Sequence, residues 1–370
     1  MLFKNGKNWL ALIFIFSIAL HFFFLTDVAN RVDEREVFIW GETPERTFVE
    51  PYPPGFNFFV EAIFSFTQSV FWTRFVLMLF SSFAIVFLFL VAKQLFDSRI
   101  ALWAAAFLAV SPVFAIYASH LRAYGMLLLI FLITTFFLLR ILSSSPRRTD
   151  QVGLTVFYAL GFWFHYYAFL FLVVHAIIVL VKRRKDYLQR FVVSALASLL
   201  FFIPLISIVQ RQLFIVQSAA EGYFSSPFST AALLSVSATF LFFFIPLSKS
   251  FFLSSPFSTA FVIVFELFLL FLFVLGLKAA WQSKNTTFFL LLFGMLFFLV
   301  LGFLLQKIHF WPRYAIPSLS FWMLALAVGV WQQKRFSPRL LGWLVLIGFL
   351  VTNILVWMLI QSSQFGLVYY

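Results

Sequence analysis

The chain has 370 residues, of which 63% are hydrophobic, 22% aromatic and only 11% charged; its mean hydropathy is +1.03. Soluble domains are about 45–50% apolar and about 25% charged, so this composition excludes soluble, disordered and nucleic-acid-binding classes and leaves a polytopic membrane protein. The net charge of +13 sits in short clusters between apolar runs, which is a topology signal, and the absence of cysteine excludes disulfides, thiolate catalysis and zinc–sulfur sites.

A spanning helix needs about 20 apolar residues. In chain order the apolar runs predict spans at Trp9–Leu25, Trp72–Ala92, Ile100–Tyr117, Tyr124–Leu142, Val152–Phe164 and Tyr166–Val181. Further spans follow at Phe191–Val209, Phe257–Leu277, Phe288–Leu305, Tyr314–Trp331 and Leu340–Ile360. No small-residue cleavage site follows the first run, so it reads as a retained span rather than a signal peptide. Ala231–Leu247 is also apolar, and charge decides its reading. With Lys4 and Lys7 inside, the inside loops carry Lys93 and Arg99; Arg140, Arg147 and Arg148; and Lys182, Arg183, Arg184, Lys185 and Arg190. If Ala231–Leu247 does not cross, Lys278, Lys284, Lys334, Arg335 and Arg339 join them, and most of the 26 basic residues lie inside. If it does cross, these last clusters move outside. The positive-inside bias favours the first arrangement: an all-α protein of about eleven transmembrane helices, with residues 210–256 an outer loop holding a re-entrant or interfacial segment.

More than half of the 13 acidic residues crowd the first outside loop: Asp27, Asp33, Glu34, Glu36, Glu42, Glu45 and Glu50. That loop, residues 26–54, is the main polar surface of a chain read as a single transmembrane domain over 1–370, so chemistry is expected outside. Pro51-Tyr52-Pro53-Pro54-Gly55-Phe56 reads as a rigid turn and not a helix, because two prolines fix φ and remove N–H donors. Charges at membrane depth are functional suspects. At the outer ends of spans stand Arg122 and Tyr124, the run His165-Tyr166-Tyr167, and the cluster Lys307, His309, Arg313 and Tyr314. A carboxylate pair, Asp33–Glu34, shares their face. Cations to hold a phosphate and a carboxylate to act as base suit a phosphate-bearing substrate at the interface. The blander assignments are Arg74 as an interfacial anchor, His175 as an interhelical hydrogen bonder, and Lys182–Lys185 as a topology determinant. Glu266 lies mid-span with no partner named by the sequence.

Taken in order, the first span, Asp33-Glu34, Pro53-Pro54, Arg74, Ala101–Ala105, Ser111-Pro112, the stretch from Tyr117 to Arg122-Ala123-Tyr124, His165-Tyr166-Tyr167 and Arg313–Pro317 resemble the family 39 membrane glycosyltransferases. These are the protein O-mannosyltransferase-like and lipid A aminoarabinose transferase-like enzymes of the GT-C fold. The resemblance is firmer over residues 9–180 than over 210–310. It implies a GT-C-type architecture and an inverting transfer of a hexosyl or pentosyl group from a polyprenyl-phosphate sugar. The acceptor is a hydroxyl, amine or phosphate group of a lipid, glycan or protein at the outer face of the plasma (inner) membrane. Carried over by position, Asp33 is the base and Glu34 orients the sugar or acceptor. Arg122, Arg313 and Lys307 bind the donor phosphate, while Tyr52, Tyr124, His165, His309 and Tyr314 line the cavity. No metal ligand set is assigned and no cofactor is called for beyond the donor, with a divalent metal left open. The expected partners are membrane lipids, the donor and the acceptor, with no nucleic acid. The chain departs from the family at Arg35-Glu36-Val37, at Tyr52 before the diproline, and in showing no soluble domain after the last span.

A transporter or flippase for lipid-linked sugars is the competing reading. Transporters place charges near the midplane, often on broken helices within repeats. Here the charges sit at helix ends, which favours the transferase.

Overall fold

In a computed structural model, residues 6–25, 53–212, 256–304, 312–333 and 336–361 are described, with the backbone alone at 302–304, 312–313 and 359–361. Among the described residues every regular element is helical. A lipid environment enforces this, since backbone polar groups there must be satisfied within the segment.

The first helix, α1, is Gly6–Phe22, followed by α2 at Pro54–Thr67 and α3 at Val70–Leu95. Then come α4 (Ser98–Ala109), α5 (Pro112–Ala118), α6 (Tyr124–Ile141), α7 (Arg148–Phe164), α8 (Ala168–Lys182) and α9 (Lys185–Leu200), whose chain continues as a bent helical stretch to Gln212. The last four are α10 (Pro256–Gln282), α11 (Thr286–Leu304), α12 (Ile316–Gln332) and α13 (Pro338–Gln361). Four of these (α3, α6, α10 and α13) are individually long and apolar enough to cross a membrane, and the two bent pairs bring that to six; α1, α8, α11 and α12 are shorter apolar helices. Every predicted span coincides with one of these helices or bent pairs. The protein is an integral multi-pass membrane protein.

Starts and stops are local. Asp97 caps α4 by accepting the N–H groups of Arg99 and Ile100 at 2.7 and 3.0 Å. Asn285 caps α11 by accepting the Phe288 N–H, while its amide donates to the Leu95 carbonyl at 3.0 Å. That bond puts the α10–α11 turn beside the α3–α4 turn. Arg99 lies over the Trp331 ring at 5.4 Å, bringing the end of α12 to the same place. The basic turns at Lys93–Arg99 and Lys278–Lys284 and the end of α12 therefore share one end of the bundle. If that end faces the cytoplasm, a reporter fused after Lys284 should read inside in a topology assay. An outside reading would overturn this orientation.

The third predicted span differs from expectation. It breaks between Ala109 and Pro112, where α4 and α5 meet at 63°. Pro112 has no N–H and cannot continue the ladder, so nearby carbonyls need other donors. His21 Nε2 lies 3.1 Å from the Ala109 carbonyl, and Asn353 Nδ2 donates to the Val110 carbonyl at 2.8 Å. Ser111 Oγ accepts the Phe114 N–H at 3.3 Å. Side chains from α1 and α13 thus hold the break in place. The seventh span is also bent, by 44°, between Leu200 and Ile203.

The core is built on α6 and α12, whose residues are buried almost throughout. α6 packs on α3, α7 and α12; α12 packs on α10, α4 and α11. α10 and α12 approach closely where glycines face each other. A Cβ on Gly276 would lie 1.9 Å from the Ala325 carbonyl oxygen, and one on Gly329 would lie 1.9 Å from that of Leu272. Small residues allow such backbone contact, and dispersion and close packing drive helix association where water does not. Phe273 stacks on Trp322 next to this crossing, with ring centroids 4.4 Å apart. Outward faces of α10 and α13 expose Val264, Leu267, Phe271, Leu340, Trp343 and Ile347, as lipid-facing surfaces do. His175 is locked between Thr135 Oγ1 at 3.1 Å and Tyr158 Oη at 2.6 Å, so this mid-span histidine does hold neighbouring helices together.

Candidate active site

The end of the bundle opposite the basic turns carries a small, partly open cleft lined by Pro53, Phe56, Asn57, Arg122, Ala123, Tyr124, Phe164 and His165. Three parts of the chain build it. The bent α5 delivers the turn 119–123 and its Arg122, a guanidinium-bearing residue only 9% exposed. The end of α7 delivers Phe164 and His165. The start of α2 forms the third wall.

The diproline corrects the sequence reading, which made Pro51–Phe56 a turn and not a helix. Pro53 is the N-cap and Pro54 the first residue of α2. Proline is well tolerated there, because its missing N–H would be unpaired anyway and its φ already suits a helix. Gly55 is required by close approach: a Cβ would lie 2.6 Å from the Trp163 carbonyl oxygen. Phe56 and Phe59 then pack on Phe164 at 6.0 and 5.7 Å. Arg74 is corrected too. It is 6% exposed, packed into the bundle rather than spread along an interface.

Around the cleft the rings converge. Tyr124 lies 5.9 Å from His165 and 6.2 Å from Tyr314 between ring centroids. Tyr167 sits 4.8 Å from both His165 and Tyr314, and His120 stacks on Tyr124 at 6.5 Å. His165 caps α7 through its backbone N–H to Gly161, and its Nδ1 accepts the Tyr167 N–H at 3.2 Å. That bond assigns the ring proton to Nε2. Of the residues picked from sequence, Arg122, Tyr124, His165 and Tyr314 are thus brought together. Arg313 immediately precedes Tyr314 in a 3-10 turn over Pro312–Ala315. Asp33, Glu34, Tyr52, Lys307 and His309 lie outside the described residues.

Sequence reasoning missed three polar groups here: His120, Asn57 and Glu61. Asn57 is 4% exposed, and its Nδ2 has no hydrogen-bond partner among the described residues. An orphaned buried donor costs about 1–3 kcal/mol. Glu61 follows one turn later on α2; burial raises its carboxyl above the usual carboxylate range, and its Oε1 also has no partner among the described residues. The i, i+4 spacing of Asn57 and Glu61 is a visible signal only once Pro54 is read as a helix start. No cluster of three His, Asp or Glu side chains that could hold a metal occurs among the described residues.

The family model for dolichyl-phosphate-mannose-protein mannosyltransferase matches residues 51–209, the stretch that supplies Pro53, Asn57, Arg122 and His165. Among solved structures, apo ArnT from Cupriavidus metallidurans superposes with a TM-score of 0.60 at 12% identity, over 92% of this chain and 62% of that one. The chain has a GT-C-type fold. The apo oligosaccharyltransferase of Archaeoglobus fulgidus superposes on this GT-C chain with a TM-score of 0.57 at 12% identity, over 98% of this chain and 56% of that one. The archaeal oligosaccharyltransferase AglB from Archaeoglobus fulgidus, in complex with an inhibitory peptide and a dolichol-phosphate, gives the same values. The GT-C chain thus spans less than two thirds of the length of each of these structures. Comparison with curated proteins gives no match.

Proposed function

We propose that this GT-C protein is a membrane glycosyltransferase that moves a sugar from a polyprenyl-phosphate donor to an acceptor on the outer face of the plasma (inner) membrane. The acceptor is a hydroxyl, amine or phosphate group of a lipid, glycan or protein. The observation that carries the reading is the placement of Arg122, nearly buried, in one cleft with Tyr124 and His165 at the end of the bundle away from the basic turns. The name of the matching family model, a mannosyltransferase using dolichyl-phosphate-mannose on protein, and the dolichol-phosphate in the AglB complex support the donor class.

A sugar on a lipid phosphate cannot leave the bilayer, so its transferase must present the site at the membrane surface. In the proposed step the acceptor oxygen bonds to the anomeric carbon as the bond from that carbon to the phosphate oxygen breaks. The acceptor proton passes to the Asp33 carboxylate, and the phosphate diester leaves as a monoester with one more negative charge. Arg122, Arg313 and Lys307 stabilise that charge, a role worth more in a water-poor site than in bulk solvent. Glu34 orients the sugar or acceptor, and Tyr52, Tyr124, His165, His309 and Tyr314 line the cavity. A single displacement inverts the anomeric centre.

Arg122→Ala and Arg313→Ala, each assayed as full-length protein in nanodiscs, are expected to weaken donor binding about 10- to 100-fold, the range for losing a hydrogen bond to a charged group. Binding of a polyprenyl-phosphate sugar at wild-type affinity by both variants would overturn the phosphate assignment.

A further inference from the structure

The amino-terminal turn of α2 presents donors that are unused among the described residues. A helix start leaves its first N–H groups without partners in the helix. In α2 the prolines at 53 and 54 carry no N–H, so the orphan donors are those of Gly55 and Phe56. Among the described residues no side chain caps this end. The turn lines the cleft that contains Arg122, and the helix dipole adds positive potential there. A second, independent observation points the same way. Asn57 is 96% buried, lines the same cleft, and its Nδ2 finds no acceptor among the described residues. Packing of Gly55 against the Trp163 backbone seats this turn two residues from His165.

We propose that the Gly55 and Phe56 N–H groups and the Asn57 amide form a second wall of a phosphate site whose first wall is Arg122. The inference rests on the transferase reading and adds to it residues that no charge pattern would select. A phosphate offers more acceptor lone pairs than one guanidinium fills. The remaining oxygens accept from the α2 turn, and Asn57 Nδ2 acquires a partner that it lacks among the described residues. Because these donors are neutral, they bind the anion without adding a second buried cation that would need its own counter-charge.

The test uses full-length protein in nanodiscs, with farnesyl phosphate as probe, farnesol as its phosphate-free control and inorganic phosphate as competitor. Asn57→Asp keeps the shape but replaces the donor with an acceptor, and should weaken farnesyl phosphate binding tenfold or more while leaving farnesol unchanged. Asn57→Leu removes the orphan amide. It should leave the ligand-free melting temperature equal to or above wild type and abolish most of the stabilisation by farnesyl phosphate. A purely structural asparagine would give the reverse, a lower melting temperature with intact ligand stabilisation. Should Asn57→Leu fail to fold, Asn57→Asp decides alone. Normal binding by the Asn57 variants, with weak binding by Arg122→Ala, would overturn this inference and leave the transferase reading standing. Normal binding by both Asn57→Asp and Arg122→Ala would remove the phosphate site itself. Inorganic phosphate competing with affinity equal to farnesyl phosphate would make this a free-phosphate site and overturn the lipid-phosphate assignment.

Discussion

Asp33→Asn is expected to lower sugar transfer by about 10² or more while leaving donor binding intact, because positioned general-base help is worth about 10²–10⁴-fold. The substitution keeps the side chain's shape and removes its basicity, so protein yield and melting temperature should stay near wild type. Asp33 is chosen over Asp27 because it belongs to the Asp-Glu pair several residues beyond the first predicted span, whereas Asp27 follows the end of that span at Leu25 almost directly in sequence. Glu42, Glu45 and Glu50 lie in a polar, proline-containing stretch with no matching context. Transfer from a radiolabelled polyprenyl-phosphate sugar, measured beside a binding assay, separates the possibilities. Near-normal turnover in Asp33→Asn with loss in Asp27→Asn would move the role to Asp27. Retained activity in both would remove the first loop from catalysis.

Gly276→Ala is expected to destabilise the protein by about 1–3 kcal/mol or more, as overpacking in a close-packed interior does. Gly276→Leu should yield little folded protein. The added Cβ would lie 1.9 Å from the Ala325 carbonyl oxygen, which is backbone and has no rotamer by which to escape. The helices must separate, and α12, buried along nearly its whole length, would lose contact with α10 and shift against α4, α6 and α11. Melting temperature in detergent provides the measurement, and Gly6→Ala the control, since nothing lies within 4 Å of a Cβ at Gly6. A wild-type melting curve for Gly276→Ala would show that α10 and α12 do not cross so closely.

How the site escaped a linear reading is clearest at α2. In sequence the diproline reads as a turn because proline removes donors, yet the first turn of a helix is where that loss costs nothing. Once Pro54 opens a helix, Asn57 and Glu61 fall on one face and Gly55 becomes a contact residue. Arg122, Tyr124, His165 and Tyr314 were recognisable one by one, as polar or aromatic residues at the ends of apolar runs. Their meeting was not, since Tyr314 lies almost two hundred residues beyond Tyr124 and only the packing of α6, α8 and α12 closes that distance.

Composition and patterning alone determined the class of this protein and the place of its apolar spans. Lipid leaves an uncharged apolar run no alternative to the helix, and the basic clusters mark one set of turns wherever the helices pack. Tertiary structure decided the rest. His21 and Asn353 look like stray polar residues in apolar runs until they are seen donating to the carbonyls freed at the Ala109–Pro112 break. Gly276 and Gly329 look like weak points in helices until their backbones meet. A cleft lined by Asn57, Arg122 and His165 exists only because a 63° bend turns α5 and a glycine lets α2 rest on the end of α7. These are contacts between segments far apart in the chain, and hydropathy reports only on the environment of each segment, not on which neighbour will satisfy its polar groups.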